Sequence, residues 1–209
     1  MIVESMDDGE FALEVIRDYF SEMNEYVKRA MTKKKIKNRH ASNYNSKRGN
    51  KWHIIYSPKE GNQYSLHVKR PQPKGWFTWY SLILTQTNSI TLFGYNKHVA
   101  ERVSERYNPE LSPSEALMEM LMKTPAIIQS EIADSFYTRV NGGICIGSVY
   151  GKRFPFRIGT LRIFVELRET KTFVSDDMLH NEQHLITQES IALAIERLGK
   201  SFLSDDDNK

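Results

Sequence analysis

Apolar residues recur every three or four positions near the start of the chain. Between Glu10 and Met31 they are Phe11, Leu13, Val15, Ile16, Tyr19, Phe20, Met23, Tyr26 and Val27. This spacing places apolar side chains on one face of a helix. The sequence therefore predicts an amphipathic helix that leads into a polar segment. Residues 38–50 of that segment are rich in Asn, Ser, Lys and Gly, which predicts an exposed connection.

Four segments then combine β-branched and aromatic residues, with Gly, Pro or Asn in each gap between them. They are Trp52–Ser57, Tyr64–Lys69, Trp76–Thr85 and Ser89–Phe93. This pattern predicts four strands joined by turns. The basic and aromatic run that begins at Lys69 resembles surfaces that stack nucleic-acid bases. Because large aromatic residues are usually buried, we instead assign Phe77 and Trp79 to the core.

Capping residues mark the next helices. Asn96 is placed to cap a helix that ends at Tyr107, and Ser112 with Glu115 forms a capping box ahead of a second helix. A third helix is predicted from Pro125 to near Ser135.

The pattern then returns to strands and closes with two helices. The predicted strands are Phe136–Val140, Ile144–Tyr150, Thr160–Arg168 and Lys171–Val174, with turns at Asn141-Gly142-Gly143 and Glu169-Thr170. Strands joined in this way form an antiparallel meander. Caps near Ser175 and Thr187 predict helices that run through Leu185 and Leu198.

Strands grouped with strands, and helices with helices, indicate an α+β fold with antiparallel sheets and flanking helices. The C-terminal part is predicted to be a helix–β-meander–helix unit. We expect an acidic and basic helical arm with its linker over residues 1–51. A single α+β domain would cover residues 52–204, and residues 205–209 would form a disordered tail.

The composition is that of an ordinary globular protein, with 40% hydrophobic and 26% charged residues in 209. No apolar run approaches the roughly 18 residues that cross a membrane, and no secretion signal is recognised. The single cysteine, Cys145, alternates with isoleucines and is assigned to the core. These features lead us to expect a cytoplasmic protein without membrane contact.

Charge is segregated along the first quarter of the chain. Residues 1–27 hold eight acids and one arginine, whereas residues 28–51 hold ten basic residues and no acid. Such a basic block is typical of segments that contact the phosphates of nucleic acid. Neutralisation by the acidic helix or by a partner, and simple solvation, are the alternatives. The candidate nucleic-acid-binding residues are Lys33, Lys34, Lys35, Lys37 and Arg39.

The helix after Asn96 carries the clearest candidate chemistry, because His98, Arg102 and Arg106 are four residues apart and share a face. Guanidinium groups bind phosphate, and an imidazole transfers protons near neutral pH. The alternative is an exposed helix whose charges pair locally, Lys97 with Glu101 and Arg102 with Glu105.

This helix and the segments after it resemble a known family. His98-x-x-x-Arg102-x-x-x-Arg106, two further helices and a meander that ends in Lys171-Thr172-Phe173-Val174-Ser175 are similar to the RelE/ParE-like toxins. The resemblance extends to the small relatives of these toxins in the barnase–EndoU–colicin–RelE fold, and covers residues 93–180. It implies a metal-independent ribonuclease without a cofactor, and an antitoxin-like partner. His98, Arg102, Arg106 and Thr172 occupy the motif positions. In this interpretation His98 is the acid/base group, Arg102 and Arg106 hold the scissile phosphate, and Thr172 orients one of the arginines.

Other patterns point to weaker alternatives. His180 and His184 have the spacing of zinc ligands, but Glu182 is not placed as in a zinc protease. A structural metal site that adds Asp176 or Asp177 to these histidines is an alternative, and we assign no metal site. The remaining functional alternative is a non-catalytic module that binds nucleic acid or another protein.

Overall fold

A computed structural model describes residues 1–32, 40–57, 63–84, 89–124, 128–132 and 134–179. The fold is α+β, as predicted. The helices are α1 (Asp8–Asp18), α2 (Asn24–Thr32), α3 (Lys97–Tyr107), α4 (Pro113–Lys123) and α5 (Asp176–Leu179). The strands are β1 (His40–Asn45), β2 (Lys51–Ser57), β3 (Gln63–Gln72), β4 (Trp76–Leu84), β5 (Ser89–Tyr95), β6 (Ile128–Ile132), β7 (Ser135–Val140), β8 (Gly143–Ser148), β9 (Lys152–Ile158) and β10 (Leu161–Ser175).

The described residues group into two compact units. Unit 1 comprises those of Met1–Lys97 and Gly151–Glu169, and unit 2 comprises those of 98–150 and 170–179. Unit 1 contains the antiparallel series β1-β2-β3-β4-β5 and the hairpin of β9 with the first part of β10. Unit 2 contains the antiparallel series β6-β7-β8 and the last part of β10.

The predicted N-terminal helix is confirmed as α1, a π-helical turn over Tyr19–Met23, and α2. Asp7 caps α1 and forms a capping box with Glu10. The apolar face of the helix is buried in the core of unit 1, where the ring of Phe11 lies 4.7 Å from that of Tyr80. Burial of this stripe against strand residues holds the helix on the sheet.

A buried polar cluster joins the same helix to the start of β2. Asp18 accepts hydrogen bonds from the Trp52 indole at 2.6 Å and from the Asn50 side chain at 2.9 Å. Glu14 accepts hydrogen bonds from Nε of Arg48 at 2.9 Å, from Nη2 of Arg48 and from the Asn50 side chain. The two carboxylates are buried, so these hydrogen bonds compensate in part for the loss of water; within the described residues Oδ1 of Asp18 has no hydrogen-bond partner.

The prediction of an exposed connection over residues 38–50 was wrong, because His40–Asn45 form β1 and pair with β2. Asn and Ser have low strand propensity, but the ring of Tyr44 packs 4.2 Å from that of Tyr26 on α2. Tertiary contact therefore overrides local preference here.

In unit 2 the helices α3 and α4 are confirmed, and Glu115 accepts the backbone N–H of Ser112 at 3.1 Å in the predicted capping box. The third helix predicted from Pro125 was wrong over 128–132, which form β6 against β7. The predicted Glu169-Thr170 connection is also wrong, because β10 is continuous through it with a change of register between Thr170 and Thr172. The predicted last helix, residues 187–198, lies outside the described residues.

Strand β9 was not predicted. Its partner is β10, and the two are joined by a two-residue turn at Gly159-Thr160. Gly159 adopts φ +60°, a conformation that favours glycine. Within the described residues no helix is long and apolar enough to cross a membrane.

The polar cluster predicts a specific dependence of stability on pH. Hydrogen bonds from Arg48 lower the pKa of Glu14 from its ordinary 4.5 to about 2. A lowered pKa stabilises the fold above about pH 4.5, and this contribution is lost as the pH falls towards 2. We expect Glu14→Gln to remove about 3 kcal/mol of unfolding free energy at neutral pH, and to flatten the loss of stability between pH 5 and pH 2.

Urea unfolding at several pH values measures this effect. Glu25→Gln is the matched control, because among the described residues Glu25 pairs only with Lys28, and both side chains are exposed; little change is expected. Equal acid sensitivity in the wild type and Glu14→Gln would contradict the assignment.

Candidate phosphate-binding site on helix α3

The side chains of α3 divide between the core of unit 2 and its surface. Val99, Ala100 and Val103 are buried, and the predicted division of the helix into two faces is confirmed. His98 lies in the first turn and is exposed. An exposed imidazole at this position is accessible to a ligand in solvent.

Arg102 lies one turn further along and forms a local ion pair. Its Nη1 lies 2.8 Å from Oε2 of Glu105, and the two side chains are 39% and 58% exposed. This is the pairing expected if α3 is simply an exposed charged helix. An exposed pair at this spacing contributes only about 0.3–0.5 kcal/mol, so an incoming anion can displace Glu105 at little cost.

Arg106 is held differently, by the backbone of β10. Its Nη1 donates to the carbonyl oxygen of Phe173, and the residue is partly buried. Burial, and after it the positive charge of Arg102, lower the pKa of the Arg106 guanidinium. Among the described residues no carboxylate forms an ion pair with Arg106.

Thr172 precedes Phe173 on β10 and is half-buried opposite Ile146 of β8. We expected its side chain to orient one of the arginines. In the described part of the chain no hydrogen bond joins the Thr172 hydroxyl to Arg102 or Arg106. The neighbouring backbone carbonyl holds Arg106 instead. Sequence reasoning missed this contact, because side-chain patterns do not reveal backbone acceptors.

The C-terminal end of α3 is anchored by the predicted turn between β7 and β8. The hydroxyl of Tyr107 accepts a hydrogen bond from the Asn141 side chain at 2.8 Å. Gly142 adopts φ +78° in the same turn, and an added Cβ would lie 2.7 Å from the Tyr107 ring. A glycine is therefore required here both by its backbone conformation and by the close approach of the ring.

A second cationic and aromatic cluster lies in unit 1. The ammonium group of Lys69 lies 4.9 Å from the ring centre of Phe77 and 4.4 Å from that of Trp79. Burial, together with the charge of Lys51, lowers the pKa of Lys69. A cavity of about 280 Å³ is lined by both lysines and by Phe77.

The structure confirms the assignment of Trp79 to the core but not that of Phe77. Trp79 is buried as predicted, with 3% of its surface exposed, but Phe77 is 40% exposed and does not belong to the core. The alternation of a strand places the two residues on one side of the sheet. Phe77 lies nearer the end of β4, where less of the chain covers it.

The described residues contain no group of three or more His, Cys, Asp or Glu side chains that would hold a metal ion. Cys145 is completely buried as predicted, and burial raises the pKa of its thiol. Asp176, considered with the histidines as a zinc ligand, accepts hydrogen bonds from both arms of Arg139.

Several predicted residues lie outside the described ranges. They are Lys33, Lys34, Lys35, Lys37, Arg39, His180 and His184. Comparison of the chain with models of protein families, with curated proteins and with solved structures finds no match.

The anchoring of α3 is tested by two glycine substitutions that share a backbone conformation. Gly142→Ala and Gly75→Ala both place a side chain at positive φ, but an added Cβ at Gly75 has nothing within 4 Å. We expect a cost of about 1 kcal/mol at Gly75 and a further 1–3 kcal/mol at Gly142, from overlap with Tyr107. Chemical denaturation measures both costs. Equal losses would contradict the close approach.

Proposed function

We propose that this chain binds RNA through the exposed face of α3 and cleaves it with His98 as the proton-transferring group. The observation that supports this most directly is Arg106, a guanidinium held by the Phe173 carbonyl, with Arg102 one helical turn away. Two guanidinium groups can bind the single charge of a phosphodiester and stabilise the additional negative charge of its pentacovalent transition state. The resemblance to RelE-like toxins, noted from the sequence, points to the same chemistry.

Each proposed role follows from the properties of the side chain. Arg106 would stabilise the negative charge that develops on the non-bridging phosphate oxygens. Arg102 would leave Glu105 and bind the same phosphate, because its ion pair is exposed and weak. His98 would accept or donate the proton that the reaction moves, because an imidazole has one nitrogen that accepts a proton and one that donates it. Thr172 would contact the phosphate beside Arg106.

The rest of the chain extends this proposal. The basic residues from Lys33 to Arg39 would bind the RNA strand away from the reacting phosphate. We place the activity in the cytoplasm, where the single cysteine remains reduced. An acidic, antitoxin-like protein would inhibit the chain by competing for the same arginines.

A specific observation favours a second candidate, the non-catalytic binding module. The acidic residues Glu101 and Glu105 lie on the face of α3 that carries His98 and Arg102. Their charge weakens any phosphate site there. In this alternative the RNA or protein ligand is held mainly by the basic segment, and His98 has no chemical role.

Cleavage and binding are measured together with labelled RNA and EDTA, on denaturing and native gels. We expect His98→Ala to abolish discrete cleavage and to leave the bound fraction within about twofold, because the side chain is exposed and supplies a proton rather than a contact. A shift without cleavage in the wild type would support the binding module. Cleavage unchanged in His98→Ala would overturn the catalytic role.

Two further variants are matched controls that are expected to change the affinity for RNA in opposite directions. Glu105→Gln releases Arg102 and should tighten RNA binding severalfold, whereas Arg102→Gln should weaken it. If neither variant changes binding, α3 is an exposed charged helix and the phosphate site is wrong.

A further inference from the structure

The hairpin of β9 and β10 in unit 1 carries a second concentration of arginine. Its strands are in register from Leu161 opposite Ile158 to Leu167 opposite Lys152. Ile163, Val165 and Leu167 contribute to the core of unit 1. Because strand residues alternate between faces, the residues between them face outward.

Most of the outward residues are cationic or aromatic; the acidic exception, Glu166, lies opposite Arg153 and forms an ion pair with Arg168. Arg153 and Arg157 of β9, and Arg162 of β10, are exposed. Phe164 is 40% exposed, and the guanidinium of Arg153 lies 4.1 Å from the centre of its ring. We call these four residues the hairpin patch. It presents guanidinium groups, an aromatic ring and a stacked guanidinium plane on one surface.

Two arginines of the hairpin patch repel each other when no ligand is bound. Arg157 and Arg162 are directly opposite each other in the register, and like charges in this relation destabilise a sheet. The side chain of Arg157 donates a hydrogen bond of 3.2 Å to the carbonyl of Gly159. Within the described residues no carboxylate forms an ion pair with either arginine. An anion bound between them would relieve the repulsion.

Protection of a strand edge explains only part of this arrangement. Pro155 and the charges of β9 are typical devices that prevent an edge strand from pairing with another chain. Protection of the edge does not require Arg162 on the neighbouring strand β10, nor the exposed Phe164 on the same strand. Aromatic rings among cations are the surface on which single-stranded nucleic acid binds, with bases on the rings and phosphates on the cations.

We propose that the hairpin patch binds single-stranded nucleic acid. Arg157 and Arg162 hold phosphates of the backbone, and a base stacks on Phe164 or on the guanidinium of Arg153. The inference rests on the residues of the hairpin in unit 1 and does not depend on the site of α3. It holds whether or not His98 catalyses cleavage.

Fluorescence anisotropy tests the proposal with a labelled RNA that 2′-O-methylation protects from cleavage, a single-stranded DNA of the same sequence and duplex DNA. We expect Arg157→Gln with Arg162→Gln to weaken single-strand binding about tenfold and to reduce the salt slope by about 1.4, because two phosphate contacts are lost. The melting temperature should stay the same or rise, since a like-charge pair is removed. Phe164→Leu should weaken binding roughly fivefold with the slope unchanged.

The matched control is Arg17→Gln with Lys123→Gln, which removes two exposed charges outside the hairpin patch, α3 and the basic block; its effect should be much smaller. If wild-type protein binds single strands and the hairpin variants bind equally well, the hairpin patch is wrong and the α3 site is unaffected. Weakening by Arg102→Gln without any weakening by the hairpin variants would likewise overturn the patch. Tight binding to duplex DNA only, or no binding to any probe, would also overturn it.

Discussion

Unit 1 depends on the burial of one helical face, that of α1 and the turn after it, against the strands β2 to β5. Phe11, Ile16 and Met23 are completely buried there. The buried carboxylate of Asp18 fixes the helix in place, because the Trp52 indole and the Asn50 amide both donate to it. An apolar face alone holds a helix against a sheet but allows it to shift along the sheet, because apolar contacts are not directional. A buried polar group fixes the position of the helix, because its hydrogen bonds require particular donors.

The position of α1 on the sheet also determines which charged residues of unit 1 form ion pairs. Acidic residues near the N-terminus pair with basic residues far away in sequence: Glu14 with Arg48, and Asp8 with Arg70 and Lys152. Part of the basic block is therefore neutralised within the fold, as one interpretation of the sequence expected. Arg106, Arg157 and Arg162 form no such ion pair among the described residues, and they lie on the two surfaces to which we assign ligands.

The sequence predicted the helices and strands that depend mainly on local residues. The helices α1, α3 and α4 have clear apolar faces or caps, and β2 to β5 have β-branched and aromatic runs. Elements that depend on distant partners were missed. β1 is stabilised by Tyr26, and β9 by its hairpin partner, although Gly159-Thr160 between two alternating segments was a usable turn signal. At the candidate site the sequence identified the residues of α3 and the local pairing of Arg102 with Glu105, but not the Phe173 carbonyl that holds Arg106.

We propose that the ligand is contacted by arginines without carboxylate partners and by Arg102, whose exposed pair with Glu105 is weak, whereas arginines held by buried or partly buried acids maintain the fold. NMR of the arginine Nε–H groups, during titration with a 2′-O-methylated single-stranded RNA, tests it most directly. We expect the signals of Arg106, Arg157 and Arg162 to shift with saturation, and those of Arg48 and Arg70 to remain in place, because Glu14 and Asp8 hold them. Shifts confined to Arg48 and Arg70, or none at any arginine, would contradict the account.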